Sequence, residues 1–377
     1  MRRVRLGDVC EVVSGSTPKT NIPEYWDGDI DWITPAELTD DSYIINESVR
    51  KITTAGVQKT GLKSFPKGTV ILSSRAPIGK VAIAGKPMYC NQGFKNLVCS
   101  DEIMPEYLYW FLKGNNEYLN SLGRGATFKE ISKKIVENIE ITLPDKDSQE
   151  HAVAVLVKCW EVMRKRKAEL AQLDELIKAR FVEMFGNCNN EILIGDVISI
   201  CRGASPRPIQ AFITDDPNGV NWIKIGDVSE NSLYITQTAE KITKEGARKS
   251  RAVHKGDFIL SNSMSFGRPY ILGIDGCVHD GWLILSNFRD SFDELYLYHA
   301  LRSEHVQHQF SGVVNGATVK NLNSDLVKGT YIQLPDMDDQ KKFAAFVKQV
   351  DKSKVAVQKA LDEAQMLFDS LMQQYFG

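Results

Sequence analysis

The chain lacks most of the features that announce a membrane protein or an enzyme. No stretch approaches the ~20 consecutive apolar residues that a membrane-spanning helix needs. The basic start, Met1-Arg2-Arg3-Val4-Arg5-Leu6-Gly7-Asp8, has no apolar core behind it, so no secretory leader is expected. The seven cysteines (Cys10, Cys90, Cys99, Cys159, Cys188, Cys201 and Cys277) are scattered and form no Cys-x-x-Cys pair. That excludes a zinc ribbon or a disulfide framework and points to a reduced, cytoplasmic setting. His305 and His308 are the closest histidine pair, without cysteines or carboxylates at ligand spacing, so no metal centre is expected. There is no Walker A loop and no Gly-x-Gly-x-x-Gly after a strand. The methyltransferase tetrad Asn/Asp-Pro-Pro-Tyr/Phe is missing too, and its nearest string, Asp216-Pro217-Asn218-Gly219, reads as a turn. A catalytic centre in this chain is therefore not expected.

An excess of charge is also absent. With 46 Lys+Arg and 48 Asp+Glu the net charge is −2. Residues 1–144 carry 18 cations against 17 acids, residues 145–186 carry 8 against 8, residues 187–335 carry 14 against 16, and residues 336–377 carry 6 against 7. No segment is basic overall, so contact with a polyanion must come from a local patch or from partner chains.

What the chain does have is a long internal repeat. Leu6-Gly7-Asp8-Val9 returns as Ile194-Gly195-Asp196-Val197, and Gly15-Ser16-Thr17-Pro18-Lys19 as Gly203-Ala204-Ser205-Pro206-Arg207. Gly68-Thr69-Val70-Ile71-Leu72-Ser73 returns as Gly256-Asp257-Phe258-Ile259-Leu260-Ser261, all at an offset of 188. Gly125-Ala126-Thr127, Leu143-Pro144, Gln149 and Phe185-Gly186 return 191 residues on, as Gly316-Ala317-Thr318, Leu334-Pro335, Gln340 and Phe376-Gly377. A small insertion between the two blocks accounts for the change of register.

Each copy begins with short β-rich runs, such as Gly68–Leu72, Val81–Ala84 and Ile139–Leu143, broken by turn residues. Short helical patches are expected around Glu106–Lys113 and Leu295–Arg302. Beyond a Leu-Pro-Asp stop, each copy continues for about 40 residues without Pro and with Gly only at the end, which predicts one long helix. A 3/4-spaced stripe runs through Ala152, Val155, Cys159, Val162, Arg166, Leu170, Leu173, Ile177, Arg180 and Met184. Its counterpart is Phe343, Phe346, Val350, Ser353, Val357, Leu361, Ala364, Phe368, Leu371 and Tyr375. These are coiled-coil seams with one stutter, at Arg166 to Leu170 and Val357 to Leu361. Alone, each helix would expose its stripe, so an antiparallel pair is expected.

The fold class predicted is α+β: two similar β-rich globular domains joined by a two-helix antiparallel coiled coil, an internal pseudo-two-fold repeat. The divisions are 1–144, 145–186, 187–335 and 336–377. An antiparallel pair matches the symmetry of duplex DNA, and helices of about 40 residues at ~1.5 Å per residue set a ruler of up to ~60 Å.

This plan resembles the specificity subunit of type I restriction–modification systems over essentially the whole chain, as target-recognition domain, helix, target-recognition domain, helix. The most specific residues are Gly15-Ser16-Thr17-Pro18, Glu24-Tyr25-Trp26-Asp27-Gly28-Asp29-Ile30-Asp31-Trp32-Ile33, Asn91-Gln92-Gly93-Phe94 and the Gly-Ala-Thr before each helix. The second lobe departs from this pattern. Tyr25-Trp26 has no counterpart before Trp222, and Asn91-Gln92-Gly93-Phe94 becomes His279-Asp280-Gly281-Trp282. The resemblance implies a non-catalytic DNA-binding subunit whose lobes each read half of an asymmetric, split target. It also implies helices that hold two adenine methyltransferase subunits, with two motor/nuclease subunits able to join. S-adenosylmethionine, ATP and Mg²⁺ would be bound by those partners and none by this chain.

Candidate DNA contacts follow from residue type. Thr17 and Lys19, with Ser205 and Arg207, pair a hydroxyl with a cation. Ser73, Ser74, Arg75 and Lys80 correspond to Ser261, Asn262, Ser263 and Arg268, readers of base edges followed by a cation. Asn91 and Gln92 suit adenine, while His279 and Asp280 suit a cytosine amino group or a bridging water. Arg124, Lys129 and Lys320 flank the Gly-Ala-Thr hinge and suit phosphate. The competing readings are turns with solvated charges and local capping. Trp32 and Trp222 are expected in the core, and Arg164-Lys165-Arg166-Lys167 on a solvated or partner-docking helix face. Two other functions stay open, a specificity subunit of a methylation-only or phage-exclusion system and a two-lobed protein-binding adaptor that never touches DNA.

Overall fold

A computed structural model of the chain describes residues 2–125, 129–228, 232–262, 267–311 and 322–377. The chain divides into two compact units, Met1–Ala168 with Gln358–Gly377, and Glu169–Val357. Each unit thus takes one β-rich lobe and half of each long helix.

In the first unit, Cys10–Ser14, Lys95–Cys99, Val70–Leu72, Val81–Ala84 and Ile44–Ile45 form a five-stranded sheet in that order. A smaller sheet orders Lys51–Ile52, Trp26–Ile33 and Tyr89–Cys90. Arg2–Arg5 pairs antiparallel with Glu140–Leu143, so the first and last strands of the lobe lie side by side. The helix Pro105–Gly114 is apolar on every face and buried from Tyr107 through Leu112. Such a helix belongs inside a core. Trp110 meets Phe368 of the second long helix with ring centroids 5.6 Å apart, and Tyr107 meets Phe376 at 5.0 Å.

The second unit repeats this plan. One sheet orders Ser199–Arg202, Trp282–Ser286, Phe258–Ser261, Pro269–Leu272 and Tyr234–Ile235. The other orders Ile213–Thr214, Glu240–Ile242, Val220–Ile223, Gly276–Val278 and Arg251–Val253. Glu191–Leu193 pairs with Tyr331–Gln333 as the lobe's first and last strands.

The long helices span Lys146–Phe185 and Met337–Phe376. Within the second unit Asp174 pairs with Lys354 at 2.7 Å, while Phe181 lies 5.4 Å and Phe185 5.7 Å from the Phe343 ring. One helix advances as the other recedes, which is an antiparallel pair.

The seam differs from the predicted one. Val162 is 45% exposed, whereas Leu156 and Met163 are 0% and 6% exposed. Ser353 is also exposed, and Val347 is buried. The inward-facing stripes run Ala152, Leu156, Cys159, Met163, Arg166, Leu170 and Phe343, Val347, Val350, Lys354, Val357, Leu361, buried except at Arg166, Leu170 and Lys354, which are half-buried. Over these stretches the spacing alternates 4 and 3, and the break in the alternation falls further along the first helix, where Ile177, Phe181 and Phe185 are buried at successive steps of four. Apolar residues at neighbouring positions made two phases of the helix look equally good.

A glutamine anchors each long helix to its lobe. Gln149 is fully buried; its Oε1 accepts from the Met104 amide (2.8 Å) and its Nε2 donates to the Glu102 and Pro144 carbonyls, both at 3.0 Å. Gln340 does the same with the Asp293 amide (2.9 Å) and the Ser291 (3.0 Å) and Pro335 (2.9 Å) carbonyls. Trp32 and Trp222 are each 2% exposed, core residues as read. Tyr25 does have a counterpart: the Tyr25 carbonyl accepts from the Thr53 amide (3.0 Å) and that of Phe212 from the Thr243 amide (2.8 Å). No helix among the described residues is long and apolar enough to cross a membrane.

Candidate nucleic-acid interface

Three sequence stretches converge at the same end of the sheets in each lobe. In the first, the Ser16 amide donates to the Cys90 carbonyl at 3.0 Å, and a Cβ on Gly15 would stand 2.2 Å from the Asn91 carbonyl oxygen. Only glycine permits that approach. The contact seats the Gly15–Lys19 loop on the Asn91-Gln92 turn, where Thr17 Oγ1 hydrogen-bonds to Gln92 Oε1. In the second lobe a Cβ on Gly203 would stand 2.1 Å from the His279 carbonyl, and Ser205 Oγ donates to Asp280 Oδ1 at 2.9 Å. Thr17 with Gln92 and Ser205 with Asp280 are thus the same pair in two chemistries.

The third stretch joins through backbone bonds that also repeat. The Ser74 amide donates to the Gly93 carbonyl (2.8 Å), as Asn262 does to Gly281 (3.1 Å). The Ile131 amide donates to the Ser74 carbonyl and the Leu322 amide to that of Asn262, both at 3.0 Å. The segment leading to each long helix is therefore tied to the same loop.

Several sequence candidates prove to be builders of this seat. Ser73, Ser74 and Ser261 are fully buried and Asn262 is 7% exposed. Ser73 Oγ donates to the Pro77 carbonyl (2.7 Å) and accepts from the Lys80 amide (2.8 Å), and Ser261 Oγ accepts from the Arg268 amide (3.2 Å). Lys80 is half-buried and donates through Nζ to the Leu38 carbonyl; Arg268 is half-buried as well. Asn91 caps its own turn, accepting from the Gly93 amide at 2.9 Å. Buried in the loop, Ser73, Ser74, Ser261 and Asn262 shape the surface rather than form it.

The exposed or half-exposed candidates are Thr17, Lys19, Arg75, Lys80, Asn91, Gln92, Arg124, Lys129, Ser205, Arg207, Arg268, His279 and Asp280. Arg124 and Glu130 exchange backbone bonds (3.0 and 2.9 Å), with Lys129 exposed between them. Ser263 and Lys320 lie outside the described residues.

The second lobe has a cleft of about 430 Å³ lined by Arg202, Asn262, His279 and Asp280, among others. The hydrogen bond from Ser205 holds the Asp280 carboxyl below the usual carboxylate range, and Arg207 stands 3.5 Å from its second oxygen. Asp280 is therefore an ionised acceptor at neutral pH. Burial lowers the His279 pKa, and its Nδ1 accepts from the Gly281 amide at 2.6 Å, so a neutral ring floors the cleft. Two contributors were missed from sequence. Arg202 donates from Nε to the Asp280 carbonyl at 2.8 Å, and the exposed Arg50 guanidinium lies 4.0 Å from the Trp26 ring centroid. Arg202 was visible as the cation immediately before Gly203; Arg50 had no local signal.

Comparison with known proteins matches the two-copy plan of the chain. The family described as "Type I restriction modification DNA specificity domain" matches residues 1–172 and 189–364. The specificity subunit of the type I restriction enzyme MjaIX from Methanocaldococcus jannaschii is 39% identical over 199 residues, 51% of this chain and 46% of that one. The chain thus spans about half the length of that relative. The MjaVIII specificity subunit of the same organism is 20% identical over 376 residues, 92% of this chain and 85% of its own. Among solved structures, one of a type I R-M system, described for complex assembly and conformational transition, is 19% identical with a TM-score of 0.63, covering 100% of this chain and 97% of that one. The S subunit of a type I restriction–modification system from M. genitalium is 15% identical with a TM-score of 0.54, covering 100% and 96%. With the same seat built twice and the family description matching both copies, the chain belongs to the type I restriction–modification DNA specificity family.

Proposed function

We propose that this chain is a DNA-reading specificity subunit without a catalytic centre, each lobe recognising one half of a split duplex target. The observation that carries the reading is the twofold seat. Backbone contacts are repeated bond for bond, while the exposed side chains on them differ, Thr17 with Gln92 against Ser205 with Asp280. A shared frame with divergent tips is what reading two different half-sites in one orientation requires. An amide such as Gln92 offers both a donor and an acceptor to a base edge. The Asp280 carboxylate only accepts, which suits the exocyclic amino group of cytosine or adenine in the major groove. In this reading the long helices scaffold methyltransferase subunits, which bind S-adenosylmethionine, and any motor–nuclease subunits bring the ATP and Mg²⁺ chemistry.

Methylation mapping of the complex reconstituted with its methyltransferase subunits tests this. Asp280→Asn is expected to relax discrimination about tenfold at one base position in one half of the target, the other half being unchanged. Methylation without sequence preference in the unsubstituted complex would sink the reading of the whole chain.

A further inference from the structure

The chain's overall acidity conceals a basic element that occurs in both lobes. Residues 51–67 carry four lysines and no acid, and residues 241–255 carry six Lys/Arg against one Glu. The two segments are copies of one another at an offset of 190, Lys51-Ile52-Thr53 with Gly56 and Lys59 against Lys241-Ile242-Thr243 with Gly246 and Lys249. Their first ten residues alternate between buried and exposed in the same order. Each is built as a short strand followed by a short helix, Thr54–Thr60 and Lys244–Arg248, whose first turn is capped by the preceding threonine.

Their packing sets these helices beside the reading seat. Gly56 lies against the Tyr25 backbone, and the neighbouring Trp26 donates from Nε1 to the Lys19 carbonyl at 3.2 Å. Gly246 lies against Phe212, and Ser250 at the helix end donates from Oγ to the Ala204 carbonyl at 2.6 Å. Some of the cations serve the fold, as Lys51 meets Asp31 and Lys249 meets Glu245. Others do not. Lys59, Lys63 and Lys67 are exposed and pair with no carboxylate among the described residues. Lys244, Arg248, Arg251 and Lys255 are in the same condition in the second lobe. A solvated charged face normally mixes signs. Here one sign recurs in both copies, against the balance of the chain.

We propose that these two helix-and-loop segments grip the phosphate backbone of duplex DNA and orient each lobe's seat on the groove. The inference rests on the DNA-reading function above. Phosphate contacts carry no sequence information and make affinity fall with salt, so they leave a signature distinct from base contacts.

The test uses the full chain in complex with its methyltransferase subunits and measures binding to its mapped target and to random duplex across salt concentrations. In Lys244→Gln/Arg248→Gln/Arg251→Gln, the slope of log affinity against log salt is expected to lessen by about 0.9 per lost contact, close to 2.7 in all. Both duplexes should lose affinity equally, with the mapped target sequence unchanged. Lys59→Gln/Lys63→Gln/Lys67→Gln should behave alike in the first lobe. All six positions are exposed, so an unchanged melting temperature checks folding. An unaltered slope overturns the grip, as does a changed target sequence or lost methyltransferase binding with the slope intact. An unsubstituted complex that fails to bind DNA overturns the function on which the inference depends, a different result from binding with an unaltered slope.

Discussion

The two lobes keep the same backbone bonds but hold their loops with different side chains. In the first, Lys95 is 7% exposed beneath the loop, its Nζ 3.3 Å from Ser74 Oγ and 3.1 Å from Glu130. In the second, the same place is taken by Leu283, 1% exposed. Lys95 lies opposite Ser14 in the strand pair, and Leu283 lies opposite Arg202, so the cation has moved to the facing strand and out to the surface. There it holds the Asp280 carbonyl, to which Asn262 Nδ2 also donates at 3.0 Å. One lobe is tied from below by a buried lysine paired with the half-exposed Glu130, and the other from above by polar contacts at the rim. What the pair teaches is that the frame depends on main-chain hydrogen bonds, leaving side chains at the seat free to diverge.

The sharpest way to break that comparison is to force one lobe's solution on the other. Leu283→Lys buries a cation where the second lobe has no described carboxylate in Glu130's role, and should cost about 4 kcal/mol in chemical unfolding. A loss below ~1 kcal/mol would mean the two interiors are interchangeable. The shared anchors come next. Gln149→Leu and Gln340→Leu each strip partners from one buried amide and two carbonyls, and each should lower stability by about 3 kcal/mol. Similar losses are expected because the two sets of bonds match; a clear inequality would show that only one lobe relies on its glutamine.

The smallest effect depends on pH. Tyr107 donates to the Thr142 carbonyl and Tyr296 to that of Gln333, which puts His299 where the first lobe has Trp110. Burial pulls the His299 pKa down to about 4, so the folded state favours the neutral ring. That stability is complete above the unfolded value of about 6.5 and is lost as the pH falls toward about 4, on the order of 2 kcal/mol by pH 5. Hydrogen exchange should show the second unit loosening first on acidification, and His299→Leu should reduce the difference, the remainder coming from His279, whose pKa burial also lowers. Equal acid sensitivity of both units would contradict the assignment.

Much of this architecture was legible in the sequence, because a duplication advertises itself and a run of about 40 residues without Pro can hardly be other than helix. The seam was read one phase off where Val155-Leu156 and Val162-Met163 set two apolar residues side by side; only packing decides between them. The serines at 73, 74 and 261 were read as surface contacts because residue type reveals a hydroxyl but not the backbone group that has already claimed it. The basic copies at 51 and 241 escaped because they stand at a third offset, and dividing charge by whole domains averaged them away. Gln149 and Gln340 were visible as a repeat, yet their meaning required the turn at Met104 and Asp293 to be in place.

In each lobe the opening strand hydrogen-bonds along the closing one, Arg2–Arg5 with Glu140–Leu143 and Glu191–Leu193 with Tyr331–Gln333. The polypeptide therefore leaves a lobe at the point where it came in, whatever is folded in between. Such a module can be lifted out and another fitted through a single doorway, without rerouting the helix that follows. Under the proposed function, a recombination event at that doorway would hand the chain a new vocabulary for half its message while preserving the grammar of the rest.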